Sequence, residues 1–332
     1  MSAARPTIID VAARSGVSTA TVSRVLSGTH GASADARQRV LAAAEALDYR
    51  PSAVARALKL RSTRTLGLVV TDIENPFFPQ LVSAIEAEAT ARGYGLLLCN
   101  TTDDGDRELA ALHLLVDRRV DGIIVASSRA MRRHGARMRD IGVPVVLVNS
   151  GGVNGLAGIE TAQRRGARLA ADHLLGLGHR QIAHVTAPRS NAAAAARVAG
   201  VRDAVRAVAG ARLEVLAGDS RVDGGARAVV DLPACVTGVV CYNDLTAIGV
   251  MRGLHSSGRR VPDDVSVIGF DDIDMARWTV PPLTTIRQPT DRMGRLAVER
   301  AAGESVVTAS VELEPELVIR ESTRPRGGER RD

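Results

Sequence analysis

Residues 7–26 read TIIDVAARSGVSTATVSRVL, and this stretch decides the fold of the first part of the chain. Thr7 and Asp10 form a capping-box pattern, in which each side chain bonds a free backbone amide at a helix start. Gly16 is expected to end that helix, because glycine readily takes the left-handed conformation that follows a last helical turn. Ser18 is the next N-cap residue. A short helix, a glycine turn and a second short helix predict a helix-turn-helix.

A third helix is predicted in residues 33–47, SADARQRVLAAAEAL, with Ser33 as its N-cap residue. Its apolar stripe is predicted to consist of Val40, Leu41, Ala44 and Leu47. Three such helices can bury one small core. The sequence therefore predicts a small all-α domain over residues 1–50.

The net charge of the protein is concentrated in this first part. Residues 1–64 carry 10 basic and 4 acidic side chains, whereas the whole chain of 332 residues has a net charge of +6. The remainder of the chain therefore carries equal numbers of the two signs. A basic module on a neutral body favours a head that binds a polyanion. The alternative is a three-helix protein-binding module whose arginines are only solvated.

The second helix carries the side chains that a helix-turn-helix presents to DNA. Its N-terminal residues enter the major groove first, and here they are Ser18, Thr19, Ala20 and Thr21, with Arg24 one turn later. Arginine can bond guanine through two donors, serine and threonine can reach phosphate or base, and an alanine methyl can touch a thymine methyl.

Residues 51–64 follow as a basic segment. Pro51 suits a first helical turn, and residues 52–60, SAVARALKL, predict a helix too short to be stable alone in water. Leu58 stands among basic residues, so it could be a wedge that opens a base step in the minor groove while the cations hold phosphates. The alternative is a linker helix whose Leu58 packs on the body.

From residue 65 the pattern changes to short apolar runs separated by helix-length segments. The first half contains the runs TLGLVVTD, YGLLLCN, DGIIVAS and PVVLVNS, and the second half contains QIAHVTA, LEVLAG, TGVVCYN and VSVIGFDD. Nearly continuous apolar strands that alternate with helices indicate parallel sheets covered on both faces. Two similar halves predict an α/β body made of two doubly wound parallel-sheet subdomains.

Polar and aromatic side chains follow the ends of these predicted strands, where ligands bind in such sheets. The polar ones are Asp72, Asn75, Asn149, Asn243, Asp244, Asp271 and Asp272, and Arg197 opens a nearby helix. The aromatic ones at or near the strand ends are Phe77, Phe78, Tyr242, Phe270 and Trp278. Carboxylates, amides, a guanidinium and aromatic faces suit a hydroxyl-rich ligand such as a sugar. The alternative is that the asparagines are turn or N-cap residues and the phenylalanines belong to the core.

Several function classes lack their motifs in this sequence. There is no GxxxxGKS or GxxxxGKT, no complete GxGxxG after a strand, no GxSxG and no HExxH. The three cysteines have no CxxC spacing. We therefore expect neither an enzyme nor a metal site nor a cofactor. No apolar run reaches the roughly 18 residues that span a bilayer, and no signal peptide is evident. We expect a cytoplasmic protein without membrane contact, and a periplasmic-type sugar receptor without DNA binding is an alternative.

The sequence resembles a known family at this point. Residues 7–28, TIIDVAARSGVSTATVSRVLSG, and 33–58, SADARQRVLAAAEALDYRPSAVARAL, resemble the head and hinge of the LacI/GalR family of bacterial transcriptional repressors. TDIENPFF, LGHRQIAHV, YNDLTAIG, GRRVPDDVSVIGFDD and PPLTTIRQP extend the resemblance through the body. It implies a homodimer that binds a pseudo-palindromic operator in double-stranded DNA under the control of a small effector, a sugar or sugar derivative. A purine-type regulator that needs a corepressor is a second reading.

The resemblance also implies roles for individual residues. Thr19, Ala20 and Arg24 would read bases, and Leu58 would intercalate at the operator centre. The full set expected at DNA is Thr7, Ser18, Thr19, Ala20, Thr21, Arg24, Ser33, Ala55 and Leu58. The set expected around the effector is Asn75, Phe77, Phe78, Asn149, Arg197, Asn243, Asp271 and Gln288.

The implied body is periplasmic-binding-protein-like, with three crossovers between its subdomains. The expected domains are 1–50 for DNA binding, 51–64 for the hinge, 65–325 for effector binding and dimerisation, and 326–332 as a disordered tail. Within the body, subdomain 1 is expected at about 65–160 and 288–318, and subdomain 2 at about 161–287 and 319–325.

The sequence departs from the family pattern at a few positions. Ala36 replaces a common phosphate-contacting threonine, and Ser52 replaces a common hinge asparagine. Ala162 and Gln163 stand where Asp-Asn is common, and an alanine run in residues 189–200, RSNAAAAARVAG, replaces polar residues. These changes predict a less polar wall on one side of the effector cavity.

Overall fold

The computed structural model describes residues 6–28, 31–49, 62–102, 104–128, 135, 138–151, 156–188, 192–304 and 309–326. The chain divides into two compact units, residues 1–63 and 64–332. Ala55, Leu58 and the tail from residue 327 lie outside the described residues, so the predictions made for them are not addressed by the structure.

The described residues of the first unit form three helices, α1 (Ile8–Ser15), α2 (Thr19–Leu26) and α3 (Ala34–Ala46). The predicted capping box is present, since Asp10 N donates to Thr7 Oγ1 at 3.4 Å and Thr7 N donates to Asp10 Oδ2 at 2.7 Å. The bonds that Thr7 N and the Thr7 hydroxyl donate to the Asp10 carboxylate lower the pKa of Asp10. Gly16 has φ 66°, the left-handed conformation expected after α1. The helix-turn-helix prediction is confirmed.

Serine caps open the other two helices as predicted. Ser18 Oγ accepts from Thr21 N at 3.2 Å, and Ser33 Oγ accepts from Ala36 N at 3.2 Å. Each hydroxyl satisfies an amide that has no partner inside its helix. Local chemistry within three residues therefore sets both helix starts.

The core of the first unit is small and aliphatic. Its fully buried members are Val11, Ala12, Val22, Val25, Val40, Ala43 and Ala44. The predicted stripe was wrong at Leu41, which is 47% exposed. Leu41 follows Val40 by one residue and so points about 100° away from it, whereas Ala43 and Ala44 lie three and four residues on and share its face.

The second unit contains two parallel sheets. Six strands form the first sheet in the order β11-β5-β4-β3-β1-β2. They are β1 (Thr65–Val70), β2 (Gly95–Asn100), β3 (Gly122–Ala126), β4 (Val145–Val148), β5 (Ala157–Thr161) and β11 (Val311–Leu313). The helices that the structure describes in this half are α4 (Phe77–Ala91), α5 (Gly105–Asp117) and α10 (Thr290–Ala301).

The second sheet has four strands in the order β7-β6-β8-β9. They are β6 (Gln181–Val185), β7 (Arg212–Leu216), β8 (Gly238–Cys241) and β9 (Ser266–Ile268). The helices are α6 (Gln163–Gly176), α7 (Ala192–Arg206), α8 (Val222–Ala228) and α9 (Asp244–Ser256), with a 3-10 helix at Asp274–Arg277. An antiparallel pair, β10 (Thr285–Arg287) and β12 (Glu316–Val318), lies beside β9 through a bridge between Ile268 and Thr284.

The chain passes between the two halves at three places. It leaves the first sheet after β5, returns between β10 and α10, and leaves again between β11 and β12. The expected boundary near residue 318 is therefore too late, because β12 already pairs with β10 on the side of the second sheet. Strand β11 ends at Leu313, and the final crossing follows it directly.

Burial along the strands matches their place in the sheets. Every residue of β3, β4 and β8 is buried, as expected for central strands covered on both faces. Strand β9 ends its sheet but is also buried, and a bridge joins its Ile268 to Thr284. The edge strands β2 and β7 are mostly exposed. Among the described residues, no helix is long and apolar enough to cross a membrane.

A carboxylate pair lies where β5 meets β11. Glu160 and Glu312 are partners in the parallel register, so their side chains share one face of the sheet. Burial, together with a smaller effect of the Glu312 charge, raises the pKa of Glu160 to about 7 against the opposing effect of the donors Ser150 N and Gly151 N. Both amides lie 3.1 Å from Glu160 Oε1.

We expect Glu160→Gln to change how stability depends on pH. A folded pKa above the ordinary 4.5 means that the stability contributed by Glu160 is complete below pH 4.5 and is lost as the pH rises towards about 7. Glutamine keeps the acceptor oxygen but carries no charge, so the variant should gain about 1–3 kcal/mol over the wild type between pH 5 and 8. Urea unfolding at several pH values measures this gain.

The control is Glu214→Gln, which removes an exposed carboxylate from β7. Its unfolding curve should follow that of the wild type across the pH range. Parallel curves for Glu160→Gln and the wild type would show that the buried carboxylate does not titrate in this window.

Candidate functional site

A cavity lies at the carboxyl ends of strands from both sheets of the second unit. The space between its walls, together with the open solvent at its mouth, is about 650 Å³. All eight residues predicted from the sequence line it, namely Asn75, Phe77, Phe78, Asn149, Arg197, Asn243, Asp271 and Gln288. The carboxyl-end rule for parallel sheets accounts for Asn75, Asn149, Asn243 and Asp271, whereas Arg197 lies within a helix and Gln288 follows a strand of the antiparallel pair.

A ring of side-chain hydrogen bonds crosses the floor of the cavity. Arg197 Nε donates to Gln163 Oε1 at 2.8 Å, and Gln163 Nε2 donates to Asn149 Oδ1 at 3.3 Å. Asn149 Nδ2 donates to Gln288 Oε1 at 2.8 Å, and Gln288 Nε2 donates to Asp271 Oδ1 at 2.7 Å. Asp271 Oδ1 lies 3.7 Å from Arg197 Nη2, which closes the ring.

The ring connects parts of the chain that are far apart in sequence. Asn149 follows β4 of the first sheet, Gln163 begins α6, and Arg197 belongs to α7. Asp271 and Gln288 follow strands β9 and β10. Each amide donates one bond and accepts another, so the five side chains form one connected polar network.

Arg197 is the buried cation of this network. Its side chain is 4% exposed, and its guanidinium carbon lies 3.5 Å from the centre of the Phe270 ring and 4.5 Å from that of Tyr242. Arg197 Nη1 also donates to the carbonyl oxygen of Tyr242. A buried charge is costly unless it is paired and hydrogen-bonded, and Asp271 supplies the opposite charge.

Asp271 is held in a strained and buried position. Its φ is 115°, a conformation that residues with a side chain rarely adopt. Burial raises the pKa of Asp271 to about 6, against the opposing effects of Arg197 and the bond from Gln288. A strained, buried carboxylate that faces a cavity is typical of a binding site.

The buried carboxylate of Asp244 holds the loop that contains Asp271. Its Oδ2 accepts from Ile273 N at 2.8 Å, and the hydroxyl of Thr285 donates to Oδ1. Burial raises the pKa of Asp244 well above its ordinary value, and Asp271 adds to the effect. A Cβ at Gly269 would lie 2.0 Å from Asp244 Oδ1, so only glycine fits there. Asp244 therefore positions the loop, and it is not among the cavity-lining residues.

Asn243 and Asn75 have both of the roles that the sequence left open, because each bonds a backbone amide near a helix start and each also faces the cavity. Asn243 Oδ1 accepts from Thr246 N at 2.9 Å as the N-cap of α9, while Asn243 Nδ2 donates to Ser220 O at 3.0 Å. Asn75 Oδ1 accepts from Phe77 N at 3.2 Å at the start of α4. Both residues also line the cavity, so the cap bond of Asn243 and the turn bond of Asn75 fix their orientations there.

The aromatic residues divide into two groups. The Phe77 and Phe78 rings meet edge to face at 5.4 Å, and both line the cavity together with Tyr242. Phe270 is buried beneath Arg197. Trp278 is 80% exposed and is not a lining residue, so its grouping with the strand ends was wrong. It lies beyond the 3-10 helix, outside the space between the sheets.

Sequence reasoning left several lining residues out of its predicted set. They are Thr71, Asp72, Ser127, Gln163, Ala193, Asp219, Ser220, Arg221 and Tyr242. The strand-end rule already includes Asp72 and Tyr242, and it could also have found Thr71 and Ser127, which directly follow β1 and β3. Ala193 comes from the alanine run, where a less polar wall was expected.

The first unit presents the predicted DNA-contacting side chains on its surface. Thr19, Ala20 and Arg24 of α2 are exposed, whereas Val22 and Val25 of the same helix are buried. Arg24 Nε donates to Ala20 O at 3.3 Å. Thr7, Ser18 and Ser33 are exposed at their helix starts, and Thr21 is partly buried. Side chains that can reach bases thus share the outer face of α2.

Comparisons with known proteins cover nearly the whole chain. Residues 7–52 match the family described as bacterial regulatory proteins, lacI family, and residues 171–323 match a periplasmic binding protein-like domain. The HTH-type transcriptional repressor PurR of Mannheimia succiniciproducens is 36% identical over 96% of this chain and 98% of its own length.

Two solved structures are similar in fold. The Lac repressor dimer bound to operator and the anti-inducer ONPF has a TM-score of 0.85 at 30% identity, covering 96% of this chain and 99% of that one. A LacI family transcriptional regulator from Enterococcus faecium with bound ribose has a TM-score of 0.70 at 31% identity, covering 79% of this chain and 99% of that one.

We expect Gln163→Leu to destabilise the second unit. Leucine removes the acceptor of Arg197 Nε and one of the two donors to Asn149 Oδ1, which keeps the bond from Thr161 N. An unsatisfied buried polar group costs about 1–3 kcal/mol. Thermal or urea unfolding of the full chain measures the loss. The matched control is Gln80→Leu, because Gln80 makes only a 3.5 Å contact to Asp272 O. Equal losses in the two variants would show that the ring does not stabilise the fold.

Proposed function

The chain belongs to the lacI family of bacterial regulatory proteins, and we propose that it is a ligand-responsive transcriptional repressor. It binds a pseudo-palindromic operator in double-stranded DNA as a homodimer and responds to a small effector in its body. It acts in the cytoplasm, where the operator is, and it is a regulator rather than an enzyme.

The observation that carries this proposal is the two-sided character of α2. Val22 and Val25 bury one side of the helix in the core, and Thr19, Ala20 and Arg24 lie exposed on the other. A helix held from behind by a small core can enter the major groove as a rigid body. The basic excess of the first 64 residues supplies the attraction to phosphates.

A dimer follows from the symmetry of such operators, because two heads must meet two half-sites about one helical turn apart. The Lac repressor of similar fold is a dimer on its operator. The second unit exposes apolar side chains that suit an interface between copies, Leu97 and Leu98 on β2 and Leu114 on α5. We expect residues 51–64, with Ala55 and Leu58, to act as a hinge that folds on DNA.

The effector site is the cavity between the two sheets. Its amides, carboxylates and hydroxyls can bond ligand hydroxyl groups, and Phe77 and Phe78 offer an aromatic face to a sugar ring. The Enterococcus faecium regulator of similar fold holds ribose. We therefore propose a sugar or sugar derivative as the effector.

A ligand in the cavity can change the arrangement of the two sheets, because both sheets supply its walls. A ligand that binds one arrangement of the two sheets more tightly shifts the population towards it, by the ratio of its two affinities. We expect the effector to favour the arrangement that releases DNA. A corepressor would have the opposite effect, and purines belong in the ligand screen for that reason.

We expect Arg24→Ala to weaken operator binding by about 1–3 kcal/mol and to relax the sequence preference at one base pair of each half-site. Binding to a set of operators changed one base pair at a time measures both effects. Arg39→Ala is the control, because Arg39 belongs to α3 and pairs with Asp35 at 3.3 Å. An unchanged preference in Arg24→Ala would remove its base-reading role.

We expect Asp271→Asn to abolish the effector response while operator binding persists. The substitution removes the charge opposite Arg197, keeps an oxygen that can accept from Gln288, and leaves the first unit untouched. A calorimetric screen of sugars, polyols and purines identifies the ligand, and its effect on an operator complex is then compared between proteins. Asp274→Asn, an exposed change on the 3-10 helix, is the control. A normal response in Asp271→Asn would place the effector elsewhere.

A further inference from the structure

An ion-pair cluster crosses the mouth of the cavity. Arg221 precedes α8 on the side of the second sheet, and Asp72 and Glu74 follow β1 of the first sheet. Arg221 Nη2 lies 2.9 Å from Asp72 Oδ2, and Nη1 lies 3.4 Å from Glu74 Oε2. One guanidinium is therefore shared by two carboxylates from the opposite wall.

A third carboxylate fixes the backbone of Arg221. Asp219 Oδ1 accepts from Arg221 N at 2.9 Å, and Asp219 Oδ2 pairs with Arg227 Nη2 at 2.6 Å. Asp219 also lines the cavity. The guanidinium of Arg221 is thus held in a narrow range of positions, with its donors directed to the two carboxylates of the first sheet.

The described walls offer no cation that is not already paired with a carboxylate. Arg197 and Arg221 are the two arginines among the described lining residues, and Asp72, Asp219 and Asp271 are the three acids. Arg197 is paired with Asp271 and hydrogen-bonded to Gln163, and Arg221 is paired with Asp72 and Glu74. An anionic ligand would have to displace carboxylates from these guanidiniums and then lie beside them.

We propose that Asp72 and Glu74 are specificity-determining residues that make this cavity select an uncharged, hydroxyl-rich effector over its phosphorylated or carboxylated relatives. The inference rests on the proposed function, because it concerns the ligand of the same cavity. A neutral polyol can bond the carboxylates and amides as both donor and acceptor. A phosphate ester meets like charge on the same groups, and such repulsion is a common source of specificity.

The exposure of the ion-pair cluster determines how strongly it discriminates between neutral and anionic ligands. Arg221 is 53% exposed and Glu74 is 79% exposed, so salt screens their interaction. Asp72 lies deeper and lines the cavity. Discrimination against an anion should therefore weaken, but not vanish, as the salt concentration rises.

The test uses the full chain and matched ligand pairs in a calorimeter. The pairs are ribose with ribose 5-phosphate, glucose with glucose 6-phosphate, and glucose with gluconate. For at least one pair, the wild type should bind the neutral member at least about tenfold more tightly. In Asp72→Asn/Glu74→Gln this ratio should fall by about tenfold, because Arg221 becomes available to the phosphate or carboxylate.

The control is Asp223→Asn/Asp274→Asn, which removes two charges from exposed pairs outside the cavity. Its binding ratio should equal that of the wild type. Glu74→Gln alone changes a surface residue and should lower the same binding ratio by a smaller factor. This variant therefore provides the test if the double variant does not fold.

Three results would overturn the inference. They are equal or tighter binding of the charged member by the wild type, an unchanged ratio in both test variants, and binding of no neutral member of any pair. Operator binding is measured on the same samples. If the protein binds its operator and releases it when a phosphate ester is added, this inference is wrong and the proposed function still holds. If the protein binds no operator, the proposed function is wrong.

Discussion

The buried guanidinium of Arg197 is the constraint on which the architecture of the second unit depends. A charge at 4% exposure needs a counter-ion and partners for its donors, and these come from Asp271, Gln163 and the carbonyl oxygen of Tyr242. The partners belong to separate segments of the chain, so each segment must end at the same place. The crossings between the two sheets make that convergence possible, and the cavity is the space that remains above it.

Local chemistry explains why much of this could be predicted from the sequence. The caps at Thr7, Ser18 and Ser33 depend on bonds within three residues, so the sequence around each helix start contains all the information. The strand-end residues such as Asn149 and Asp271 follow a general rule of parallel sheets, which needs only the strand positions. The family resemblance supplied the rest of the predicted set, including Gln288, and all eight side chains line one cavity.

The features that escaped prediction depend on contacts between distant segments. Gln163 is one residue among many polar ones until α6 is placed beside Arg197, and Arg221 has no evident partner until the loop after β1 lies opposite. Strand β12 was assigned to the wrong half because its partner β10 lies some thirty residues earlier in the chain. Pairing between segments is set by register and packing in three dimensions, which periodicity along the chain does not contain.

The closed ring also bears on how a ligand can act here. Its amides already donate and accept, so a ligand hydroxyl that enters exchanges one hydrogen bond for another and gains little free energy from that exchange. Net affinity must then come from apolar contact with Phe77 and Phe78 and from the fit between the walls. Because the ring joins both sheets, replacing one of its bonds changes how the sheets are held together. A small net affinity can therefore accompany a large preference for one arrangement, and it is this preference that moves a two-state equilibrium.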